Sequence, residues 1–346
     1  MKYSRVFIES FGYELPSNVV TSDDLERRLA PLYDALRIQR GQLEAITGIR
    51  ERRYWDPGFP LHEGAIRAGR KALAAAGIPR ERIGMLIYGA VCRENLEPAS
   101  ACAVADGLGL SRDCQLYDVS NACLGVLNGI VNVANAIELG QIRAGMVVAC
   151  ESAREIVDLT IDRLLRERSM ETLRKTVATL TGGSGAVAVL LTDGALATGG
   201  RRLLGGVARS APEHHRLCTW GPDTGIPAGR SHMAETDSVK VLQHGVALGI
   251  ETWHEFRQSL ELPEGGPDRI ICHQVGASHQ RSILDAIGIS AERDFTTFRY
   301  LGNIGTVSLP ITAAIAAERE ILRKGDLVGF LGIGSGLNCL MLAVNW

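Results

Sequence analysis

The chain has 346 residues, and its 37 basic and 39 acidic side chains give a net charge of −2. This near-neutral balance excludes the bulk basic charge that nucleic-acid or anionic-membrane binding requires. Hydrophobic residues make up 46% and charged residues 22%, which excludes a disordered chain. The length predicts two domains or one large composite domain.

The eight cysteines are scattered and form no CxxC pair, which argues against a zinc ribbon or a thioredoxin motif. A reduced, cytoplasmic protein is the simplest interpretation. No long apolar segment follows the first residues, so no signal peptide is expected. The longest uncharged run, residues 119–137, contains four asparagines and predicts a buried helix rather than a membrane span.

Strand-like and helix-like segments alternate along the chain. In chain order the pattern predicts a strand at 5–12, a helix from 21 to about 30, a helix at 61–76, a strand at 83–90, a helix at 99–108, a strand at 115–119, a helix at about 123–139, and strands at 144–151 and 185–192. The second half then predicts a helix at 237–261, a strand at 268–273, helices at 278–287 and 308–323, and strands at 327–332 and 340–344.

Two pairs of similar segments, here called sequence echoes, suggest a duplicated unit. The approach to the strand at 83–90 resembles the approach to the strand at 268–273, and the apolar strand at 185–192 resembles residues 338–345. Together they favour an α/β fold of two similar halves with buried sheets, which we assign to residues 1–200 and 201–346.

Cys123 follows a predicted strand and opens a long predicted helix. A helix N-terminus carries partial positive charge and free N–H groups, and both favour a thiolate. Cys123 is therefore a candidate nucleophile. A buried structural cysteine is the alternative, and by position alone it is the more common case.

Three further segments contain candidate polar groups. His273 ends a predicted buried strand, where α/β proteins place ligands, although a hydrogen-bonded core histidine is an equal alternative. Asn303 lies in a turn-like segment and is more often a turn residue than a catalyst. The glycine-rich segment 332–336, which contains Ser335, offers backbone N–H groups to an oxyanion or a phosphate.

Glu97 is flanked by Leu96 and Pro98, and a carboxylate in apolar surroundings can act as a base near neutrality. A solvated loop glutamate is the alternative. His214, His215 and Cys218 suggest a metal cluster, but no second ligand pair follows at a standard spacing, so no metal is expected.

Read together, these residues resemble the thiolase superfamily and its ketoacyl-ACP synthase III branch. The order Cys123, His273, Asn303 is similar to that branch's Cys–His–Asn triad. Segments 118–123, 273–274 and 302–310 resemble the motifs around the three residues, and segment 47–52 matches another signature. The resemblance implies a five-layered αβαβα thiolase fold.

Segments 96–98 and 332–339 resemble the OleA subgroup, whose members join two acyl-CoAs head to head in bacterial long-chain olefin biosynthesis. Ordinary synthases of the branch typically carry an aromatic residue at the position of Glu97. A decarboxylative synthase forms its carbanion by loss of carbon dioxide. A head-to-head enzyme must instead remove a C–H proton, and Glu97 is the candidate base.

The resemblance implies that Cys123 receives the first acyl group, with an oxyanion hole made by the backbone N–H groups of Cys123 and Ser335. It also implies that His273 and Asn303 hold the second thioester oxygen, and that a 2-alkyl-3-ketoacyl product is released as a β-keto acid. It implies a homodimer in which Glu97 reaches into the partner's site, no cofactor beyond the CoA thioesters, and downstream pathway enzymes as possible partners.

Three alternatives stay open at this point. The triad is equally compatible with a decarboxylative ketoacyl-ACP synthase III, or a related acyltransferase that uses malonyl-ACP. A non-catalytic subunit of a heterodimeric condensing enzyme would be expected to lack catalytic side chains, which this chain retains. Hydrolysis through Cys123 alone would release CoA without forming a carbon–carbon bond.

Overall fold

The computed structural model describes residues 1–222 and 232–346. Extended segments in this part of the chain lie where the sequence is apolar or alternates, as expected for sheet positions. The strands are β1 (Val6–Glu14), β2 (Asn18–Thr21), β3 (Glu51–Tyr54), β4 (Ile83–Tyr88), β5 (Gln115–Asp118), β6 (Ala144–Glu151), β7 (Gly185–Asp193), β8 (Arg202–Ser210), β9 (Cys218–Pro222), β10 (His232–Thr236), β11 (Arg269–Cys272), β12 (Leu327–Gly334) and β13 (Asn338–Asn345).

Helices fill the intervals between the strands. Within the described residues, none is both long enough and apolar enough to cross a bilayer. The helices are α1 (Ser22–Arg28), α2 (Ala30–Leu36), α3 (Gln42–Thr47), α4 (Leu61–Ala76), α5 (Ser100–Leu108), α6 (Gly125–Glu138), α7 (Arg154–Glu167), α8 (Met170–Thr176), α9 (Ser238–Ser259), α10 (Ala277–Ile287), α11 (Phe298–Leu301) and α12 (Ser308–Glu318).

Nine strands pair in the order β11-β12-β13-β8-β1-β7-β6-β4-β5. The two ends of this series have the same strand arrangement. At the end formed by the first half of the chain, β7 lies antiparallel to its neighbours β1 and β6, and β4 lies parallel to both β6 and β5. At the end formed by the second half, β13 lies antiparallel to its neighbours β8 and β12, and β11 is parallel to β12. The counterpart of β5 is reduced to one parallel bridge between Ile270 and Asp294.

The two strand arrangements meet between β1 and β8, where only Phe7 and Arg202 pair. Both sequence echoes fall on equivalent strands, because β4 corresponds to β11 and β7 corresponds to β13. The prediction of two duplicated α/β halves is therefore confirmed.

Helices lie on both faces of each half. Helix α4 packs on β1, β6 and β7, and α6 covers the opposite face of the same strands. Helix α12 contacts β1, β7 and β11, so it lies with α6 between the halves, and α9 covers β8 and β13 on the outside. Both inner helices are strongly apolar because sheet residues surround them. This arrangement is the predicted αβαβα sandwich.

Several boundaries differ from the predicted ones for local reasons. Helix α6 begins at Gly125, two residues after Cys123. Helix α12 ends at Glu318 rather than near residue 323, because Glu320 adopts a left-handed conformation with a φ of 56°. Strands β8, β9 and β10 were not predicted. The apolar segment of β8 is interrupted by two glycines, and β9 and β10 are short and lack the apolar runs of the buried strands.

The start of α6 lies directly against the end of β4. A Cβ atom at Gly125 would lie 2.5 Å from the carbonyl oxygen of Gly89, which is backbone and cannot rotate away. Gly125→Ala should therefore lower the free energy of unfolding by about 1–3 kcal/mol, the usual cost of overpacking. Urea denaturation would measure this change.

The matched control is Gly265→Ala, where the nearest atom to a new Cβ lies 3.9 Å away at the end of an arginine side chain. It should change stability by only a few tenths of a kcal/mol, roughly. Equal denaturation midpoints for the two variants would contradict the close approach of β4 and α6.

Candidate active site

A cavity of about 660 Å³ lies where the ends of β11 and β12 face the start of α6. Four of the five predicted site residues line it: Cys123, His273, Asn303 and Ser335. The nucleophile comes from the first half of the chain and the other three from the second. Glu97 is outside the lining.

Cys123 lies in a tight turn between β5 and α6. The preceding residue, Ala122, has a φ of 45°, in the left-handed region that a non-glycine residue adopts at a cost. The N–H of Leu124 donates to the carbonyl oxygen of Asn121 at 2.9 Å and closes the turn. Such local strain is typical of functional turns, and here it places the thiol in the cavity wall.

Burial raises the pKa of the Cys123 thiol to about 12, and the neighbouring Cys218 and Glu151 add to this increase. The position of Cys123 before a helix predicted a stabilised thiolate and hence a lowered pKa, and that direction is wrong. Desolvation of the thiolate outweighs the helix, which begins two residues further on. The resting nucleophile is therefore a neutral thiol that needs a base to take its proton.

His273 follows β11, and its N–H donates to the carbonyl oxygen of Leu331 at 3.0 Å. Burial lowers the pKa of His273 to about 4, with a further contribution from His279. At neutral pH the imidazole is therefore uncharged, with one ring nitrogen able to accept a proton and the other able to donate one. It can act as a base toward a thiol and as a hydrogen-bond donor toward an oxygen.

Gln274 keeps this turn in place. It is buried, its Nε2 donates to the carbonyl oxygen of Cys272 at 2.7 Å, and its Oε1 accepts from the N–H of Thr297 at 2.9 Å. The glutamine of the His-Gln pair therefore fixes the backbone beneath His273 and does not reach the cavity.

Asn303 is held by its own turn. Its Oδ1 accepts from the N–H of Gly305 at 3.1 Å, and its backbone N–H donates to the carbonyl oxygen of Thr181 at 2.9 Å. Because the side-chain oxygen is engaged, the amide NH₂ remains the group that can donate to a ligand in the cavity.

Ser335 lies in the turn between β12 and β13. The glycine-rich segment predicted as a loop is strand as far as Gly334, because it pairs with β13 up to Asn338. A Cβ atom at Gly334 would lie 3.3 Å from the backbone nitrogen of Cys123. The turn therefore adjoins the nucleophile's own N–H, which is the arrangement that an oxyanion hole needs.

Asn121 and Asn338 were not identified from the sequence. The Nδ2 of Asn338 donates to Oδ1 of Asn121 at 3.0 Å and to the carbonyl oxygen of Ser335 at 3.3 Å. Asn121 donates in turn to Asn128 in α6 at 2.8 Å. The position of Asn121 in the nucleophile motif was the available signal.

Glu97 lies in the loop between β4 and α5, and it is exposed. Its neighbour Leu96 is 86% exposed, so the apolar surroundings expected around the carboxylate do not exist in the single chain. That expectation treated adjacent apolar residues as buried neighbours, whereas here they project from the surface.

Glu151 is a buried carboxylate in the cavity wall that the sequence analysis also missed. It ends the buried strand β6, and burial raises its pKa. An acidic residue at the end of an apolar strand was the signal.

Among the described residues, no group of three or more histidine, cysteine or acidic side chains is placed to hold a metal. His214 instead stacks on His244 at 3.8 Å between ring centroids.

Residues 260–346 match the family described as 3-Oxoacyl-[acyl-carrier-protein (ACP)] synthase III C terminal. Over its full length the chain is similar to the acyl-CoA:acyl-CoA alkyltransferase of Shewanella oneidensis, at 54% identity with 100% of both chains covered. The acyl-CoA:acyl-CoA alkyltransferase of Xanthomonas campestris pv. campestris is 35% identical over 100% of both chains. The beta-ketoacyl-ACP synthase III of Symbiobacterium thermophilum is 28% identical, over 100% of this chain and 99% of that protein.

Solved structures of Xanthomonas campestris OleA share the fold. The cerulenin-bound form matches with a TM-score of 0.94 at 35% identity, over 100% of this chain and 98% of that chain. A form with bound lauric acid and lauroyl-CoA matches with a TM-score of 0.93 at 35% identity, over 99% of this chain and 100% of that chain. Other forms replace a cysteine, a glutamate or a histidine of that protein.

The lowered pKa of His273 predicts a pH dependence of stability. The unfolded chain takes up this proton near pH 6.5, whereas the folded chain resists it until about pH 4. The contribution of His273 to the free energy of unfolding is therefore fully present above pH 6.5. It falls by up to about 3 kcal/mol as the pH drops toward 4. His273→Gln should lose less stability than the wild type between pH 7.5 and 4.5, as measured by urea denaturation at each pH.

His254 is exposed, and His254→Gln serves as the control that should retain the wild-type slope. If His273→Gln and His254→Gln show the same slope, His273 is not held neutral by burial.

Proposed function

This chain belongs to the acyl-CoA:acyl-CoA alkyltransferase family, which includes OleA, and we propose that it joins two long-chain acyl-CoAs head to head without decarboxylation. The product is a 2-alkyl-3-ketoacyl thioester that leaves as a β-keto acid. The observation that carries the proposal is the cavity in which Cys123, His273 and Asn303 meet, in a chain 54% identical to an alkyltransferase over its whole length.

The first half-reaction is acyl transfer to Cys123. The neutral imidazole of His273 takes the thiol proton, and the thiolate attacks the thioester carbonyl of the first acyl-CoA. The carbon–sulfur bond to CoA then breaks, and the departing CoA sulfur receives the proton. The high pKa of Cys123 and the low pKa of His273 make the neutral pair the resting state.

The tetrahedral intermediate carries its charge on the former carbonyl oxygen. The backbone N–H groups of Cys123 and Ser335 supply the hydrogen bonds for that oxygen. The short separation between Gly334 and the nitrogen of Cys123 supports this pairing. Loss of one such donor costs on the order of 10²–10³ in rate.

The second half-reaction needs a base, because an ordinary acyl-CoA has no carboxylate to lose. Glu97 removes a proton from the α-carbon of the second acyl-CoA. The N–H of His273 and the NH₂ of Asn303 donate to the thioester oxygen as the enolate forms. The α-carbon attacks the acyl group on Cys123, and the cysteine sulfur leaves as the new carbon–carbon bond closes. Hydrolysis of the remaining CoA thioester releases the β-keto acid.

The exposed position of Glu97 supports a homodimer in which each chain supplies this base to its partner's cavity. Leu96 beside it is an exposed apolar side chain of the kind that a partner surface buries.

All eight cysteines are free, which fits a cytoplasmic enzyme. We assign the chemistry no cofactor beyond the CoA thioesters, and we propose that the β-keto acid feeds long-chain olefin or hydrocarbon formation.

Incubation with one saturated long-chain acyl-CoA should yield the symmetric ketone, formed when the β-keto acid loses carbon dioxide, and mass spectrometry would detect it. Cys123→Ala should abolish both CoA release and the ketone. Glu97→Ala should still release CoA while forming ketone about 10²–10⁴-fold more slowly, because only the proton abstraction lacks its base.

Glu264 is another exposed glutamate, and Glu264→Ala should leave ketone formation unchanged. Turnover that begins only when malonyl-ACP is added would assign the chain to the decarboxylative synthases instead. Free fatty acid and CoA without ketone from the wild type would indicate hydrolysis.

Sharing of Glu97 across a dimer predicts complementation. A mixed dimer of Cys123→Ala and Glu97→Ala subunits contains one complete site out of two, so it should regain about half of the wild-type activity per dimer. Co-expression with two affinity tags would isolate it, and each parent homodimer measured alone is the control. A mixed dimer no more active than its parents would show that Glu97 serves its own chain.

A further inference from the structure

Glu151 occupies a position that the proposed mechanism leaves unused. It is 4% exposed and lies in the cavity wall at the end of β6, yet neither half-reaction assigns it a step. A buried carboxylate is costly unless hydrogen-bond donors surround it, so its partners indicate its role.

Two of its partners belong to the loop that contains Glu97. Oε1 of Glu151 accepts from the N–H of Val91 at 3.0 Å, and Oε2 accepts from the N–H of Cys92 at 3.1 Å. These two residues are the root of the loop, which runs from the end of β4 to the start of α5. At the other end of the loop, the carboxylate of Asp118 accepts from the N–H groups of Ser100 and Ala101 at 2.9 and 3.0 Å.

The opposite side of Glu151 meets the turn that contains Asn303. A Cβ atom at Gly305 would lie 3.3–3.4 Å from Cγ, Cδ and Oε1 of Glu151, so the turn passes close to this side chain. The backbone N–H of Thr306 is directed at the same carboxylate and lowers its pKa. The hydroxyl of Thr306 then accepts from the N–H of Val126 in α6 at 2.7 Å.

We propose that Glu151 is a positioning residue that joins the root of the Glu97 loop to the Asn303 turn. Its buried carboxylate adjoins both segments, and both segments serve the carbanion-forming half-reaction. The inference rests on the proposed function, since it assigns Glu151 to the second step and not to acyl transfer. In the proposed homodimer, a shift of the loop root would move Glu97 relative to the enolate donors of the partner's cavity, and a shift of the Asn303 turn would move the donors that the partner's Glu97 faces.

Electrostatics separates the two half-reactions further. The negative charge of Glu151 helps to raise the pKa of Cys123, so an uncharged side chain at position 151 eases formation of the thiolate. Acyl transfer therefore does not require the Glu151 charge. Carbanion formation does depend on it, through the two backbone hydrogen bonds.

Glu151→Gln is the direct test, because an amide of the same shape has one acceptor where the carboxylate has two. Its NH₂ must face the N–H of either Val91 or Cys92, and that anchoring bond is lost. The rate of Cys123 acylation, measured by intact-protein mass spectrometry, should stay within about threefold of the wild-type rate. Ketone formation should fall in kcat by about tenfold to 10²-fold with KM little changed, since small displacements of a catalytic group have effects of this size.

Glu9→Gln is the matched control. Glu9 is also buried and accepts from the N–H groups of Thr198 and Gly199 at 3.0 and 2.9 Å, far from the cavity lining. It should lower the melting temperature without changing the ratio of ketone formed to Cys123 acylated. Glu151→Asp retains both acceptor oxygens and should recover more ketone formation than Glu151→Gln.

Amide hydrogen exchange tests the tether without any activity. Peptides covering residues 91–99 should exchange faster in Glu151→Gln than in the wild type, whereas Glu9→Gln should leave them unchanged. Unchanged exchange in Glu151→Gln, or an equal loss of acylation and condensation, would overturn the proposal. Absence of ketone from the wild type together with faster exchange in the variant would contradict the proposed function. It would still support the structural link that Glu151 makes to the root of the Glu97 loop.

Discussion

The hydrogen bond from Asn338 to Asn121 joins the two halves of the chain at the cavity. Asn338 begins β13 and also holds the turn that contains Ser335, while Asn121 precedes the nucleophile and is itself anchored to α6. The rest of the site depends on this junction, because backbone N–H groups from two distant segments can point at one oxygen only if their turns are locked together. The small residues at this junction have the same purpose. A side chain at Gly332 would collide with Leu124 and Leu127, so glycine there lets β12 approach α6 closely.

Duplication explains why the site forms where it does. Helices α6 and α12 follow equivalent places in the two halves, and both lie in the inner layer. The turn just before α12 contacts the first turn of α6, where the N–H of Val126 donates to the hydroxyl of Thr306. The two halves line the cavity with different segments: the first with the turn before α6, and the second with the segment after β11, the turn before α12 and the turn between β12 and β13. The first half supplies the nucleophile, and the second supplies the histidine and the amide. Burial at the cavity shifts the two pKa values in opposite directions, since it disfavours both the thiolate of Cys123 and the imidazolium of His273.

Much of this could be predicted from the sequence. Helix α4 was predicted to the residue because Gly77 stops it, and the buried strands were found because apolar runs bounded by glycine and charge have few other interpretations. The order Cys123, His273, Asn303 indicated the family. What could not be predicted depends on packing between distant segments. The pKa direction of Cys123 follows from desolvation in the folded chain and from its neighbours Cys218 and Glu151, and the exposure of Leu96 and Glu97 depends on where a loop projects. Glu151 was overlooked because its hydrogen-bond partners lie about 60 and 150 residues away in the chain.

The burial that keeps Cys123 neutral also protects it. Thiolates, and not thiols, react with peroxides and alkylating reagents, so a thiol with a pKa of about 12 is oxidised slowly at physiological pH. Many cysteine nucleophiles are permanently ionised and so remain open to oxidation while they wait for substrate. Here the reactive form arises only when a proton passes to a neighbouring base in a cavity with a largely apolar lining. Between turnovers the nucleophile is therefore held as a thiol, the form that oxidants attack less readily.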